Sequence, residues 1–350
     1  MMEILGQVGN ASSIHAFGRA ARRIVEDARE RVAALVGVSS PQVVFTSGAT
    51  EANNTVLALT DRPRVLVSAI EHDSVLAAAP DAEIVPVTPE GLVDLAALEA
   101  MLDADNRPSL VAVMLANNEI GTLQPVAEVA AIAKRHGALV HCDAVQATGK
   151  IPVDFVALDI DFMSLSAHKL GGPQGNGALI VREGVPVPTL IRGGGQEKRR
   201  RAGTENVAGI AGFGAAAEAA AAGLGAYNRV AVLRDALESR IRAAFPETPI
   251  FGGCAPRIAN TSCIAMPGMS AETQLMGFDL AGIAVSSGSA CSSGKVAASH
   301  VLAALGVGRD LAKSAVRVSL GWDADEGQIE RFVETWITLR QKAERRTAVA

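Results

Sequence analysis

The chain has 350 residues, 49% of them hydrophobic and only 3% aromatic, with a formal net charge of −5. That is ample apolar chain for two domains rather than one, and the acidic balance argues against the basic face of a nucleic-acid binder. No run of eighteen apolar residues occurs, and MMEILGQVGN lacks the basic and long apolar regions of a signal peptide, so a cytoplasmic chain with no membrane span is expected.

Along the chain, short apolar runs alternate with amphipathic helical ones. QVVFTS, RVLVSA, EIVPV, SLVAVML, ALVHCD, DFMSLS and GALIVR read as strands. PVAEVAAIAKRHG reads as a helix that has Pro125 near its first turn and stops at Gly137. Such alternation, with continuously apolar strands, predicts an α/β domain built on a mostly parallel, covered sheet. From about residue 205 the texture changes. An Ala-rich helical region runs to AAFPETP, followed by strands TSCIAMP, GIAVSS and AVRVSLG and a closing helix, DEGQIERFVETWITLRQKAE. A large domain over 1–225 and a smaller α+β domain over 226–350 are expected.

Four cysteines occur, none in a C-x-x-C pair, so neither a zinc knuckle nor a thioredoxin-like motif is supported. No metal site is expected. Cys142 and Cys263 lie in apolar strand-like runs and read as small core residues; Cys254 reads as a loop thiol. Cys291 is different. It stands in SSGSACSSG among five serines, two glycines and an alanine, where nothing can pack a core.

The chemistry-bearing residues follow strand ends, where ligands bind in α/β sheets. In SLSAHKLGGPQGNG, Lys169 follows an apolar strand directly and cannot easily reach water. It reads either as a surface lysine on a turn or as a cleft lysine poised to form a Schiff base. Asp143 ends the strand ALVHCD, so its carboxylate points to the same edge. A lysine and an aspartate converging there suggest pyridoxal 5'-phosphate, which wants a Schiff-base lysine and a carboxylate on its ring nitrogen. The alternative for Asp143, a helix N-cap, leaves Gln146 and the lysine unexplained. VFTSGATEANN is a strand, a glycine turn and a helix start, so Gly48, Ala49 and Thr50 form a candidate phosphate site. His72 in IEHDSV is structural when read alone and a ring-stacking residue in this company. Asn117 and Asn118 offer amides after SLVAVML.

The motifs SGATEANN, EHDSV, NNEIG, HCDAVQ, SLSAHK, RRAGTENV, SSGSACSSG and VRVSLG, in that order over almost the whole chain, resemble the cysteine desulfurases of the NifS/IscS-like group. These belong to the class V aminotransferases, pyridoxal-phosphate enzymes of fold type I. The resemblance implies conversion of L-cysteine to L-alanine with a persulfide left on Cys291, then passage of sulfur to an acceptor protein, an iron–sulfur scaffold or a tRNA thiolation protein. It implies that Lys169 carries the cofactor and shuttles protons, that Asp143 pairs with the ring nitrogen, and that Gln146 hydrogen-bonds the ring hydroxyl. His72 stacks on the ring and serves in acid–base steps. Ala49, Thr50, Ser166 and His168 hold the phosphate, Thr204 reaches the phosphate of the neighbouring subunit of a homodimer, and Asn118 contacts the substrate adduct. Arg317, helped by Asn10, grips the substrate carboxylate.

EKRRRAG is too short a charge run for a nucleic-acid tail and reads as a phosphate or interface loop, so no direct nucleic-acid partner is expected. The family has a leading strand and an Asn-Ala-Thr-type turn before the GN segment at Gly9–Asn10. This chain starts almost there, so a large domain truncated at its N-terminal end, with part of the site wall missing, is expected. A C-terminal scaffold-docking tail is also expected to be absent. The rival enzyme readings are a class V aminotransferase, which needs no thiol, and a selenocysteine lyase. A non-catalytic iron–sulfur scaffold would need clustered thiols, and the four here are scattered. The Ser- and Gly-rich setting of Cys291 is expected to let its thiol work in two places, beside the substrate and at the acceptor.

Overall fold

A computed structural model describes residues 1–58, 60–187, 189–288 and 299–349, with side chains to 345. The chain divides into two compact units. Unit 1 comprises Met1–Val85, Leu95–Leu115 and Gln124–Leu224. Unit 2 comprises Pro86–Asp94, Ala116–Leu123 and Gly225–Ala350. The main boundary falls inside the Ala-rich helical region, at residues 224 and 225. Two short segments that a 1–225 and 226–350 division assigns to the large domain group instead with unit 2.

The seven apolar runs of unit 1 form one sheet: β1 (Val43–Thr46), β2 (Arg64–Ser68), β3 (Glu83–Val85), β4 (Ser109–Ala112), β5 (Leu139–Asp143), β6 (Phe162–Ser166) and β7 (Gly177–Val181). Their order is β1-β7-β6-β5-β4-β2-β3. β7 runs antiparallel to both neighbours, and the other adjacent pairs are parallel. The exception follows from chain length, because the link between β6 and β7, residues 167–176, is too short for the crossover a parallel pair needs. β1, β4, β6 and β7 are buried along their whole length, which is why they read as unbroken apolar runs.

Helices α1 (Met2–Leu5), α2 (Ala16–Leu35), α3 (Ala49–Leu57), α4 (Asp73–Leu76), α5 (Leu95–Ala104), α6 (Val126–Arg135) and α7 (Val207–Gly223) complete the unit. α2 buries Ala21, Val25, Ala28 and Val32, one stripe at helical spacing. α7 meets that stripe closely, since a Cβ at Gly214 would lie 2.7 Å from the Ala28 Cα. The helical run Val207–Ala244 is long and apolar enough to cross a bilayer. Ile210, Phe213 and Ala217 in its α7 part are buried in the unit.

Unit 2 holds an antiparallel sheet, order β10-β11-β9-β8, made of β8 (Ile250–Phe251), β9 (Thr261–Ala265), β10 (Ser286–Ser287) and β11 (Ala315–Ser319). Its helices are α8 (Tyr227–Ala244), α9 (Ala271–Leu280), α10 (His300–Ala304), α11 (Arg309–Ala312) and α12 (Glu326–Val349). Leu237, Ile241, Phe278, Phe332 and Trp336 form its core, with the Phe278 and Phe332 rings stacked at 4.9 Å. GIAVSS pairs only through Ser286 and Ser287, and β8 is too short to announce itself in the sequence.

One contact fixes the entry to α3. Gly177 pairs with Thr46, and a Cβ added there would fall 2.6 Å from both the Gly48 Cα and the Leu165 carbonyl oxygen. Both obstacles are backbone and neither can rotate away. Gly177→Ala is expected to destabilise the protein by about 1–3 kcal/mol, the usual cost of overpacking. Urea unfolding measures it, and an unchanged midpoint would show that the β1–α3 turn yields freely.

Candidate active site

The loops after β1, β2, β5 and β6 leave the sheet at one edge, the carboxyl ends of its parallel strands. They carry nearly all the unit 1 residues singled out in the sequence. Asp143 ends β5 and is buried. Its Oδ2 accepts from Asn53 Nδ2 at 2.9 Å, and its Oδ1 accepts from the Val145 N–H at 3.0 Å. Burial pushes this carboxyl upward, opposed by those two hydrogen bonds and by nearby His72 and Lys169. Asn53 also donates to Ser74 Oγ at 2.9 Å, and its own Oδ1 is buried without a hydrogen-bond partner.

His72 caps α4. Its Nδ1 accepts the Ser74 N–H at 3.0 Å and lies 2.8 Å from Ser74 Oγ. The neutral ring therefore carries its proton on Nε2, an assignment made from the hydrogen-bond geometry. Nδ1 is thus engaged by Ser74, which fixes the orientation of the ring.

Lys169 stands on a 3-10 turn, Ala167–Leu170, closed by Gly171 in the left-handed region at φ 81°. The turn carries Lys169 and His168 outward, and both are exposed. This corrects the expectation that a lysine straight after a buried strand is withheld from water. Ser166 is buried, with its Oγ 2.9 Å from His168 Nδ1. Burial, then the charge of Lys169, holds the His168 imidazole below its ordinary value.

α3 begins at Gly48 with no side-chain cap, so its first N–H groups could take an anion. Ala49 is half-buried there and Thr50 exposed. Glu51 accepts from the Ser47 N–H at 2.8 Å and from Arg201 Nε at 2.9 Å. Burial raises its carboxyl, but these partners outweigh it and the net shift is downward. Thr204 is exposed and shares a cavity of about 150 Å³ with Thr46, Ser47 and Arg201 of its own chain. Asn10 is exposed, its Oδ1 accepting the Ser12 N–H at 2.8 Å.

Gln146 is half-buried, and its carbonyl accepts from Lys150 Nζ at 2.7 Å. Burial, then repulsion from Lys169, lowers the Lys150 ammonium to about 8. Lys150 escapes a reading of the sequence, as do Asn53 and Glu71. Glu71 is fully buried, and its Oε1 accepts from Ser68 Oγ at 2.6 Å and the Met114 N–H at 2.7 Å. Burial pushes this carboxyl up to about 8 against those two hydrogen bonds, and nearby Asp143 adds to the rise. The available signal was a carboxylate placed directly after an apolar strand and before His72.

In unit 2, Arg317 on β11 donates from Nη1 to the Asn118 carbonyl at 3.0 Å, and its Nε is buried without a partner. Asn117 is spent on its own turn, its Oδ1 accepting the N–H groups of Glu119 and Ile120. Cys142 and Cys263 are buried, and burial pushes both thiols upward; Cys254 is exposed. Cys291 lies outside the described residues.

The unit 1 set could take an anion at the start of α3 and a cation beside Asp143. Glu71 gives it a pH signature. With its folded value near 8, well above the ordinary 4.5, its contribution to stability is fully present below pH 4.5 and lost as pH rises through 8. Glu71→Gln cannot ionise, so its melting temperature relative to the parent should climb between pH 5 and pH 9. A difference that stays constant over that range would contradict the shift.

The family model for aminotransferase class-V matches residues 2–332. A cysteine desulfurase of Cereibacter sphaeroides is 43% identical over 342 residues, 94% of this chain and 87% of that protein. The X-ray structure of a NifS-like protein from Rickettsia africae superposes with a TM-score of 0.89 at 38% identity, covering 96% of this chain and 92% of that one. SspA, solved in complex with cysteine, gives a TM-score of 0.75 at 28% identity, covering 89% and 90%. The chain belongs to the class-V aminotransferase family and, within it, to the cysteine desulfurases.

Proposed function

We propose that this protein is a pyridoxal-phosphate-dependent L-cysteine desulfurase, active in the cytoplasm as a homodimer. Beyond family membership, the buried Asp143 carboxylate carries the reading. A desolvated carboxylate facing a ligand site calls for a cation there, and a protonated ring nitrogen supplies one.

When bound, the cofactor provides an electron sink for bond breaking at the substrate Cα and Cβ. Lys169 is the residue that attaches it, and its amine afterwards carries protons to and from the substrate. Asp143 keeps the ring nitrogen protonated, held in register by Asn53 and the Val145 N–H. Gln146 meets the ring hydroxyl, and His72 covers the ring face. Ala49, Thr50, Ser166 and His168 take the phosphate, and Thr204 completes the phosphate site of the neighbouring subunit. Arg317, with Asn118 and Asn10, receives the substrate carboxylate; its buried, unpartnered Nε fits an incoming anion.

The reaction balances without an external oxidant. The Cβ–S bond of cysteine breaks, an S–S bond to Cys291 forms, and Cβ takes up a proton to give alanine. SspA was solved with cysteine, which favours the same substrate here. The persulfide then passes to an acceptor protein, an iron–sulfur scaffold or a tRNA thiolation protein. An apolar surface supports the homodimer. Val8, 86% exposed, lines a groove of about 840 Å³ together with Leu5, Phe17 and Ile24. Exposed apolar patches of this kind mark interaction sites.

Borohydride treatment of the holoenzyme followed by peptide mapping should find the cofactor on Lys169. Lys169→Ala should form no alanine. Cys291→Ala should still bind cysteine, seen as a change in cofactor absorbance, but release neither alanine nor sulfide. Alanine production by Lys169→Ala, or normal turnover by Cys291→Ala, would return the chain to the lyase or aminotransferase reading. Light scattering should give twice the chain mass, and a fully active monomer would remove the role of Thr204.

A further inference from the structure

The stretch that carries Cys291 leaves the described chain at Gly288 and rejoins it at Ser299. Both points meet one side chain. Glu119 is 3% exposed. Ser299 Oγ donates to its Oε2 at 2.5 Å, and a Cβ added at Gly288 would stand 2.5 Å from the same oxygen. At 288 the backbone therefore passes close to the carboxylate, and a methyl group there would have to displace it. Ser299 is buried as well, and its Oγ accepts the Leu302 N–H at 3.1 Å as the cap of α10. The hydroxyl is thus used in both directions, outward to Glu119 and inward to the helix.

Glu119 is itself firmly placed. Its N–H donates to Asn117 Oδ1 at 2.8 Å, and the next residue back, Asn118, accepts Arg317 Nη1 on its carbonyl. Just before Gly288, β10 pairs with β11, Ser286 opposite Arg317 and Ser287 opposite Val316. Arg317 and Arg257 also lie close enough that, with Glu119, they all act on the Cys263 thiol. A buried carboxylate among such cations accepts a stronger hydrogen bond than a neutral oxygen.

Chain geometry turns this anchor into a constraint on chemistry. Cys291 is three residues from Gly288 (291 − 288) and eight from Ser299 (299 − 291). Three residues of fully extended chain span about 10 Å at most, so where Gly288 is held decides which positions the Cys291 thiol can reach.

We propose that Glu119 is a positioning residue for sulfur transfer, its carboxylate bonded to Ser299 and packed beside Gly288 and so influencing the reach of the Cys291 thiol. This rests on the desulfurase reading, and the test separates the two.

The holoenzyme, Glu119→Ala, Glu119→Gln and Gly288→Ala are compared with L-cysteine. Three quantities are read: the cysteine concentration that half-saturates the absorbance change, the rate of alanine formation, and the alkylation rate of Cys291 by iodoacetamide in cofactor-free protein. Exposed Cys254 is the internal control. For Glu119→Ala, half-saturation should stay within about twofold while alanine formation falls by on the order of 100-fold, the scale of a misplaced reacting group. Alkylation of Cys291 should change several-fold relative to Cys254. Glu119→Gln keeps an oxygen for Ser299 and should recover most of the rate. Gly288→Ala should reproduce the split with Glu119 intact, which covers the case of a Glu119→Ala protein that does not fold. Unchanged alanine formation and alkylation in these variants would overturn the proposal. So would a parallel loss of cysteine binding and turnover that Gln does not rescue. A parent protein that makes no alanine from cysteine overturns the desulfurase reading instead, and the alkylation comparison still reads the anchor.

Discussion

A carboxylate at the buried end of a strand sets the terms for the rest of unit 1. Burial pushes the Asp143 carboxyl upward, and the dipoles of Asn53 and the Val145 N–H oppose that shift, as do nearby His72 and Lys169. α3 does two jobs in this. Its uncapped start offers N–H groups to an anion, while Asn53, four residues along, holds Asp143. At 1.5 Å of rise per residue the helix separates these functions by about 6 Å. One rigid element thereby fixes the distance between the anion end and the cation end of the ligand site. The glycine contact between residues 48 and 177 decides where that element starts.

The two buried acids near β5 are handled differently. Asp143 faces His72 and Lys169, which oppose its desolvation. Glu71 receives a serine hydroxyl and one backbone N–H, and its carboxyl is pushed up to about 8. A carboxyl that stays protonated at Glu71 spares Asp143 the repulsion of a second close carboxylate. The pair resembles the division of labour found wherever neighbouring environments drive two acids apart.

Much of this was legible in the sequence, for a physical reason. The strands of a covered parallel sheet are apolar throughout, so all seven showed as runs, and the loops after them carried Asp143, Lys169, His72 and the α3 start. What stayed hidden depends on three dimensions. The reversal of β7 is a consequence of a short link, visible only once its neighbours are known. Pro86–Asp94 and Ala116–Leu123 join unit 2 although unit 1 sequence flanks both, and no local composition marks such a return. β8 has two residues, below any periodicity. Asn53, Glu71, Lys150 and Glu119 are polar residues whose importance comes from burial, and burial of a polar side chain has no pattern of its own. The exposure of Lys169 was misjudged because a buried strand says nothing about the turn that follows it.

The basic run EKRRRAG shows how charge can mislead when its partners are out of view. Glu197, Lys198 and Arg199 all adopt positive φ, at 45°, 56° and 68°. Left-handed backbone at non-glycine residues costs on the order of 1 kcal/mol each. Something must hold three in succession, and the only acid in the run does so. Glu197 is buried, takes both terminal nitrogens of Arg29 at 2.7 Å and also accepts the Phe45 N–H. Arg201 then turns onto Glu51 at the start of α3, and Arg200 onto the Pro41 carbonyl. Two of the basic residues are thus tied within their own chain instead of forming a free cationic face. The strained turn is stabilised from inside unit 1 and leaves Thr204 exposed at its end. A loop preformed in this way would lose little freedom on meeting a binding partner.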